Sequence, residues 1–324
     1  MRSYLLYKIT HIFHRLGFYY YSVKFYVQDN KENNNIILCF FKAVFRYLKI
    51  FNYKYGYYEY LEIPITTKCS LRCKHCSNLI PFYKKQSDYE ISVLEKSIKE
   101  FLKCINNIVF VRVLGGEPFL GGNIIRVLQI LLKSDKIQRI EVVTNGTIIP
   151  KDKKLIKLLK NPRVVISISQ YPFVNYHKLE EFLIKEEIKY HIDKMTFWLD
   201  FGDAKKQNKT VKQLARQYRN CNQICRSLVN GQFHLCPRSS HGTDLGIVKD
   251  NEDDYLDLLD STMTIEEKRN RINQLLKKKY IKACDHCYFG TRLAKKVPVA
   301  EQINKKVKNQ KWFFLNIFLL IINI

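Results

Sequence analysis

The apolar positions of this chain change rhythm twice. In residues 1–58 they crowd together with aromatics and lysines, and the run ILCFFKAVFRYLKIF has helix-like spacing. This segment reads as an N-terminal helical extension, divided by the polar turn QDNKENNN. From residue 59, short branched runs alternate with helical faces. Residues 60–65 (YLEIPI), 108–114 (IVFVRVL), 140–144 (IEVVT) and 164–169 (VVISIS) predict strands. Between the first two, Ile91, Leu94, Ile98, Phe101, Leu102 and Ile105 recur at three- and four-residue intervals, the mark of one buried helical face. Residues 124–132, 155–159 and 179–188 predict further helices. After about residue 205 the alternation fades into a smaller, cysteine-bearing region with an amphipathic helix at 265–276.

Strands separated by helices need crossover connections, which are right-handed and make a mainly parallel sheet or barrel. The expected organisation is a helical extension over 1–58, an α/β body over 59–204, a cysteine-bearing region over 205–300 and a tail over 301–324 that is basic and then apolar. Each strand of the body runs straight into polar or glycine residues, where folds of this class place their chemistry.

Composition narrows the reading. An apolar fraction of 46% with 13% aromatics excludes a disordered chain. Ten cysteines in 324 residues are too sparse for a small disulfide scaffold. The net charge of +25 would attract anions, but it comes mostly from scattered lysines in an Ile-, Asn- and Tyr-rich chain, so a nucleic-acid partner is not expected. No run reaches the roughly 18 apolar residues needed to span a bilayer. Residues 312–324 are nearly all apolar after KKVKNQK, so the tail suits docking on the body or contact with a membrane surface. The expected location is a reducing cytoplasm, with any contact to the inner membrane face made through the termini.

The densest chemical signal is Cys69-Ser-Leu-Arg-Cys73-Lys-His-Cys76. In a reducing compartment, three thiols within eight residues at a strand's mouth are metal ligands rather than disulfide partners. A structural zinc site wants four ligands, whereas a four-iron cluster on three cysteines leaves one iron open. Zinc with a distant fourth ligand is the competing reading.

Cys69, Cys73 and Cys76, with the aromatic His75 before the last, resemble the C-x3-C-x-aromatic-C signature of the radical S-adenosylmethionine (SAM) superfamily. Gly115-Gly116-Glu117-Pro118 resembles its GGEP segment, Thr144-Asn145-Gly146 its TNG turn, and Ser167 and Ser169 occupy the place of a polar residue that contacts SAM. The resemblance covers about residues 59–200. It implies a partial (β/α)6 TIM-like barrel with a [4Fe–4S] cluster at its open end. It further implies that Gly115, Gly116 and Glu117 meet the amino group of SAM, and Thr144 and Asn145 its ribose and carboxylate. Reductive cleavage of SAM to a 5′-deoxyadenosyl radical, which takes a substrate hydrogen, follows from it.

A second constellation lies beyond the body. Cys284-Asp-His-Cys287 is a C-x2-C pair, and Cys225 with Cys236 would complete a four-thiolate set. Cys221 competes for the first position, and the spacing Cys225-x5-Gly231 favours Cys225. The pattern resembles the twitch extension, related to SPASM, which carries one auxiliary [4Fe–4S] cluster; zinc is the alternative occupant. Residues 169–172 and 198–202 are expected in the pocket, with Arg226, Arg238 and His241 near it, and no single residue is assigned as catalytic base. Cys39 and Cys104 read as buried thiols.

One SAM cluster and one auxiliary cluster resemble the plan of the twitch-bearing dehydrogenases of aminocyclitol alcohols. The expected function is oxidation or modification of a sugar or aminocyclitol, with flavodoxin or ferredoxin as electron donor. The alternatives are modification of a ribosomally made peptide, activation of a partner protein, and a non-catalytic iron–sulfur interaction protein.

Overall fold

Five strands pair in sequential order, all parallel: β1 (Tyr57–Pro64), β2 (Asn107–Leu114), β3 (Ile137–Thr144), β4 (Val164–Gln170) and β5 (Tyr190–Lys194). They belong to a computed structural model that describes residues 56–221 and 225–303. The expected N-terminal helices, Cys39 and the apolar end of the tail lie outside these residues. Helices α1 (Ile91–Cys104), α2 (Ile124–Leu132), α3 (Lys153–Leu159) and α4 (His177–Lys185) make the crossovers. Beyond β5, β6 (Trp198–Leu199) leaves the sheet, and α5 (Val211–Asn220) leads toward β7 (Ser227–Val229). β7 returns to the far side of β1 as a sixth parallel strand, through the pair Glu62–Ser227. Antiparallel β8 (Gln232–His234) and β9 (Tyr255–Asp257) extend that edge. Among the described residues the sheet does not close into a ring. This is the mostly parallel α/β sheet of a partial barrel.

Register gives the sheet two unlike faces. Leu61, Val111 and Ile140 lie side by side, as do Ile63, Val113 and Val142, and all are buried under the helices. α1 covers them with Leu94, Ile98 and Phe101, each worth about 1.5–3 kcal/mol of burial. On the opposite face the same register sets Glu62 beside Arg112 and Arg112 beside Glu141, then Ser167 beside His191 and Ser169 beside Asp193. Arg112 Nε donates to the Glu141 carboxylate, and the Ser167 hydroxyl donates to Asp193 at 2.9 Å. The barrel's inner face is therefore ionic, and its outer face is the apolar core.

Helix α4 ends earlier than its apolar pattern predicts. Glu187 turns left-handed at φ 55°, the Ile188 N–H bonds the Leu183 carbonyl at 2.9 Å, and the Glu187 N–H bonds Ile184 at 3.1 Å. Ile188 is thus the buried contact of a helix stop rather than part of the helix. The remaining elements are α6 (Pro237–Asp244), α7 (Ile265–Leu276) and β10 (Lys296–Val297), which pairs with β6. Cys104 is buried, as its place beside the apolar face of α1 predicts. Among the described residues no helix is long and apolar enough to cross a membrane.

Candidate functional site

The connection from β1 to α1 is long, and its base is sewn shut. The Thr67 N–H donates to Ser87 O and the Ser87 N–H to Thr67 Oγ1, both at 2.8 Å. Lys68 pairs with Asp88 at 2.7 Å, and the Cys69 N–H reaches Gln86 Oε1 at 3.1 Å. The loop so closed carries Cys69, Cys73 and Cys76 to the carboxyl ends of β2, β3 and β4. All three thiols line a cavity of about 200 Å³ together with Gly115, Gly116, Thr144, Asn145, Ser169, Tyr171 and Trp198. The motifs that the chain spreads over a hundred residues therefore meet at one place.

The two glycines are required by the protein's own backbone. The Gly116 N–H donates to Thr66 O at 2.9 Å and the Glu117 N–H to Lys68 O at 2.7 Å. A Cβ on Gly115 would stand 2.3 Å from Thr66 O, and one on Gly116 2.2 Å from Lys68 O. Their missing side chains thus let the turn after β2 lie against the cysteine loop. Pro118 follows, buried, at the start of a short 3-10 turn.

Glu117 is fully enclosed. Its carboxylate accepts from Thr144 Oγ1 at 2.9 Å, the Asn145 N–H at 2.8 Å and the Phe119 N–H at 3.2 Å. Burial pushes it up to about 7, and these hydrogen bonds hold it from rising further. Its three partners are the two turns themselves, so it acts as a clamp behind the cavity wall. Asn145 faces the cysteines: its Nδ2 donates to Ser70 Oγ at 3.0 Å and lies 3.7 Å from Cys69 Sγ.

Of the two serines, Ser169 lines the cavity, while Ser167 is buried one step below it on Asp193. His75 sits between two carboxylates, with Nδ1 3.0 Å from Asp200 and Nε2 3.2 Å from Glu301. It joins the cysteine loop to the 198–202 segment and to the end of the described chain. Glu62, Arg112 and Asn78 also line the cavity, and sequence reasoning missed them. The signal was a charge at the centre of each of two apolar parallel strands, YLEIPI and VFVRVL, where burial without a purpose is costly.

Cys221, the competitor for the first position of the second set, lies within electrostatic reach of Cys236 and Cys284. Cys221 caps α5, and a Cβ on Gly290 would stand 3.3 Å from its backbone nitrogen, which puts it beside the C-x2-C turn. Gln217 on the same helix donates to Cys287 O at 2.8 Å, and Lys209 Nζ reaches Cys284 O at 3.0 Å and Cys287 O at 2.7 Å. Burial raises the Cys236 thiol, and the charges of Cys221, Cys287 and Cys284 raise it further. Cys225, which its spacing to Gly231 favours, packs on the cluster of Tyr60, Val109 and Phe110 and lies within electrostatic reach of Glu62 and of Cys236.

Burial pushes Cys69 up to about 12, Cys73 to about 11 and Cys284 to about 12, so metal binding must displace these protons. Burial also raises Cys76 and Cys287, and the charge of Arg238 pulls both down. Arg238 is enclosed and donates to His286 O at 2.9 Å and Gly202 O at 3.3 Å. It therefore stands between the two cysteine sets. Arg226 and His241 are also buried, and neither lines the cavity. Among the described residues no three His, Cys, Asp or Glu side chains converge on a single metal ion. A four-iron cluster bonds each thiolate to a different iron, so its ligands need no common point, and the sulfur-only donor set fits that kind of centre.

A model of the Radical SAM superfamily matches residues 63–181. The GTP 3′,8-cyclase of Alkaliphilus oremlandii (strain OhILAs) is 33% identical over 112 residues, which are 34% of this chain and 34% of that protein. The chain thus spans about a third of the length of this curated relative. Among solved structures, anSMEcpe with bound AdoMet and the Kp18Cys peptide is 17% identical with a TM-score of 0.46, covering 82% of this chain and 98% of that one. BtrN in complex with AdoMet and 2-DOIA is 12% identical with a TM-score of 0.40, covering 70% and 92%.

Proposed function

Because residues 63–181 match a model of the Radical SAM superfamily, we propose that the whole chain is an oxidoreductase that cleaves SAM reductively and removes hydrogen from a sugar or an aminocyclitol. Cys69, Cys73 and Cys76 would hold a [4Fe–4S] cluster, which when bound supplies the electron for that cleavage, with flavodoxin or ferredoxin as the source. Gly115, Gly116, Thr144, Asn145 and Ser169 would seat SAM beside it, and Glu117 would hold the two turns in place. His75, Pro118 and Ser167 support this wall from behind. Cys221, Cys236, Cys284 and Cys287 would hold an auxiliary [4Fe–4S] cluster as electron acceptor.

The observation that carries the substrate class is the ionic inner face of the barrel. Glu62 lines the cavity yet is only 7% exposed. Its carboxylate takes the Tyr60 hydroxyl and the weakly donating Cys225 thiol, and no N–H or O–H donor reaches its Oε2. A charged group spared for the cavity wall suits a polar, hydroxyl-bearing substrate better than an apolar one. Burial raises the Glu62 carboxyl above its ordinary value, against the pull of Tyr60 and Arg112. That suits a group that accepts the hydroxyl proton as a carbinol becomes a ketone.

Anaerobically reconstituted protein reduced with dithionite should form 5′-deoxyadenosine, and a sugar or aminocyclitol substrate should lose two hydrogens by mass spectrometry. Full iron loading without any deoxyadenosine overturns the enzyme reading. Deoxyadenosine coupled to a modified peptide replaces the substrate class and leaves the SAM chemistry standing.

A further inference from the structure

The segment after β10 lies antiparallel along the cysteine loop. Cys73 bridges Gln302, the Lys74 N–H donates to Glu301 O at 2.7 Å, and the Ile303 N–H donates to Arg72 O at 2.8 Å. Val299 and Ala300 are buried against Cys73, with Leu71, Cys76, Tyr171 and Trp198 around them. Ala300 holds a left-handed φ of 53°, a strained conformation that persists only where packing imposes it. The Gln302 side chain is fixed at both ends. Its Oε1 accepts the Arg72 N–H at 2.8 Å, which orients the amide. Its Nε2 donates to Ala300 O at 2.6 Å and to Cys73 Sγ at 3.2 Å.

We propose that Gln302 is a positioning residue for the iron–sulfur centre, whose amide donates to the Cys73 sulfur and sets the reduction potential of the cluster held there. The inference rests on the reading of Cys69, Cys73 and Cys76 as cluster ligands. Reduction adds negative charge that spreads onto the ligating sulfurs, and a hydrogen-bond donor on one of them favours the reduced state. The strap of residues 299–303 also covers that sulfur. Cover and donor are separable, because leucine keeps the bulk of Gln302 without its N–H, and glutamate keeps the shape but offers only acceptors.

The test is a potentiometric titration of the full chain, anaerobically reconstituted and followed by electron paramagnetic resonance. The signal to follow is the reduced-cluster component that a Cys69→Ala/Cys73→Ala/Cys76→Ala variant lacks. In Gln302→Leu the reduced-to-oxidised ratio at the wild-type midpoint should fall about tenfold, a shift of ~59 mV for one electron, with iron content unchanged. Gln302→Glu should fall at least as far. Wild-type midpoints in both variants overturn the proposal, and so does loss of iron from both, which would make the strap purely structural. A wild-type protein with no such component fails the cluster reading itself, before Gln302 is at issue.

Discussion

The Glu117 carboxylate accepts the Asn145 backbone N–H at 2.8 Å, tying the turn after β2 to the turn after β3. Two loops that each carry part of the cavity wall are thereby held by one enclosed acid. Burial raises that acid to about 7, so its titration is coupled to folding. Below pH about 4.5 it is protonated in both the folded and the unfolded chain, and its contribution is constant. As pH rises toward about 7, the unfolded chain releases the proton first and stability falls, by about 3 kcal/mol at most. Chemical denaturation of the metal-free protein at pH 5 and pH 8 should show this loss, and Glu117→Gln should flatten it. An unchanged slope in the variant would place the titration elsewhere.

Gly116 is a test of how tightly the turn must approach the cysteine loop. In Gly116→Ala the new Cβ would meet Lys68 O at 2.2 Å and Cys69 Cβ at 2.8 Å, so the loop must move. The expected cost is about 1–3 kcal/mol, the usual range for overpacking, read by urea denaturation. Iron on Cys69, Cys73 and Cys76 should be lost while the second centre keeps its own. A variant that loads both centres normally would free the turn from this role.

The second centre distinguishes two cysteines four residues apart. Wild-type protein should carry about eight irons, as two four-iron clusters. Cys221→Ala should retain about four, because Cys221 stands with Cys236, Cys284 and Cys287. Cys225→Ala should retain about eight, because Cys225 faces Tyr60 and Glu62. The reverse result would restore the ligand that the spacing to Gly231 favours, and one zinc in place of four irons would make the site structural.

Glu62→Gln separates SAM cleavage from substrate oxidation. The residue lies on the inner face of β1, and its side chain bonds Tyr60 and Cys225 rather than the three thiols or the two turns. Uncoupled formation of 5′-deoxyadenosine should persist near the wild-type rate, while ketone formation falls by about 10²–10⁴-fold, as for loss of a general base. Equal loss of both would mark Glu62 as part of the SAM seat.

Local order accounts for what could be read along the chain. Residues 108–114, 140–144 and 164–169 fall within β2 to β4, and 60–65 matches β1 except for Ile65, one residue past its end, because strands covered on both faces read as branched apolar runs. The thiol spacing of Cys69, Cys73 and Cys76, the Gly115-Gly116 turn and the Asn145 turn were legible for the same reason: each is complete within ten residues. β5 escaped notice because YHIDK is partly exposed at the sheet edge and carries no apolar run.

Periodicity and short spacings in the chain carried the parallel body, the grouping of three cysteines and the order of turns around them. Tertiary structure alone brings Cys221 beside the second set and Gln302 over the first. Cys221 reaches that set only because α5 docks on the turn after Cys287, and Gln302 meets Cys73 across 229 residues of chain. Spacing carries no information about such meetings. The position of Cys221 rests on helix packing, and the placing of Glu62 on the inner face rests on strand register, which sets Glu62 beside Arg112. Both are settled by contacts that form only when the whole sheet has assembled.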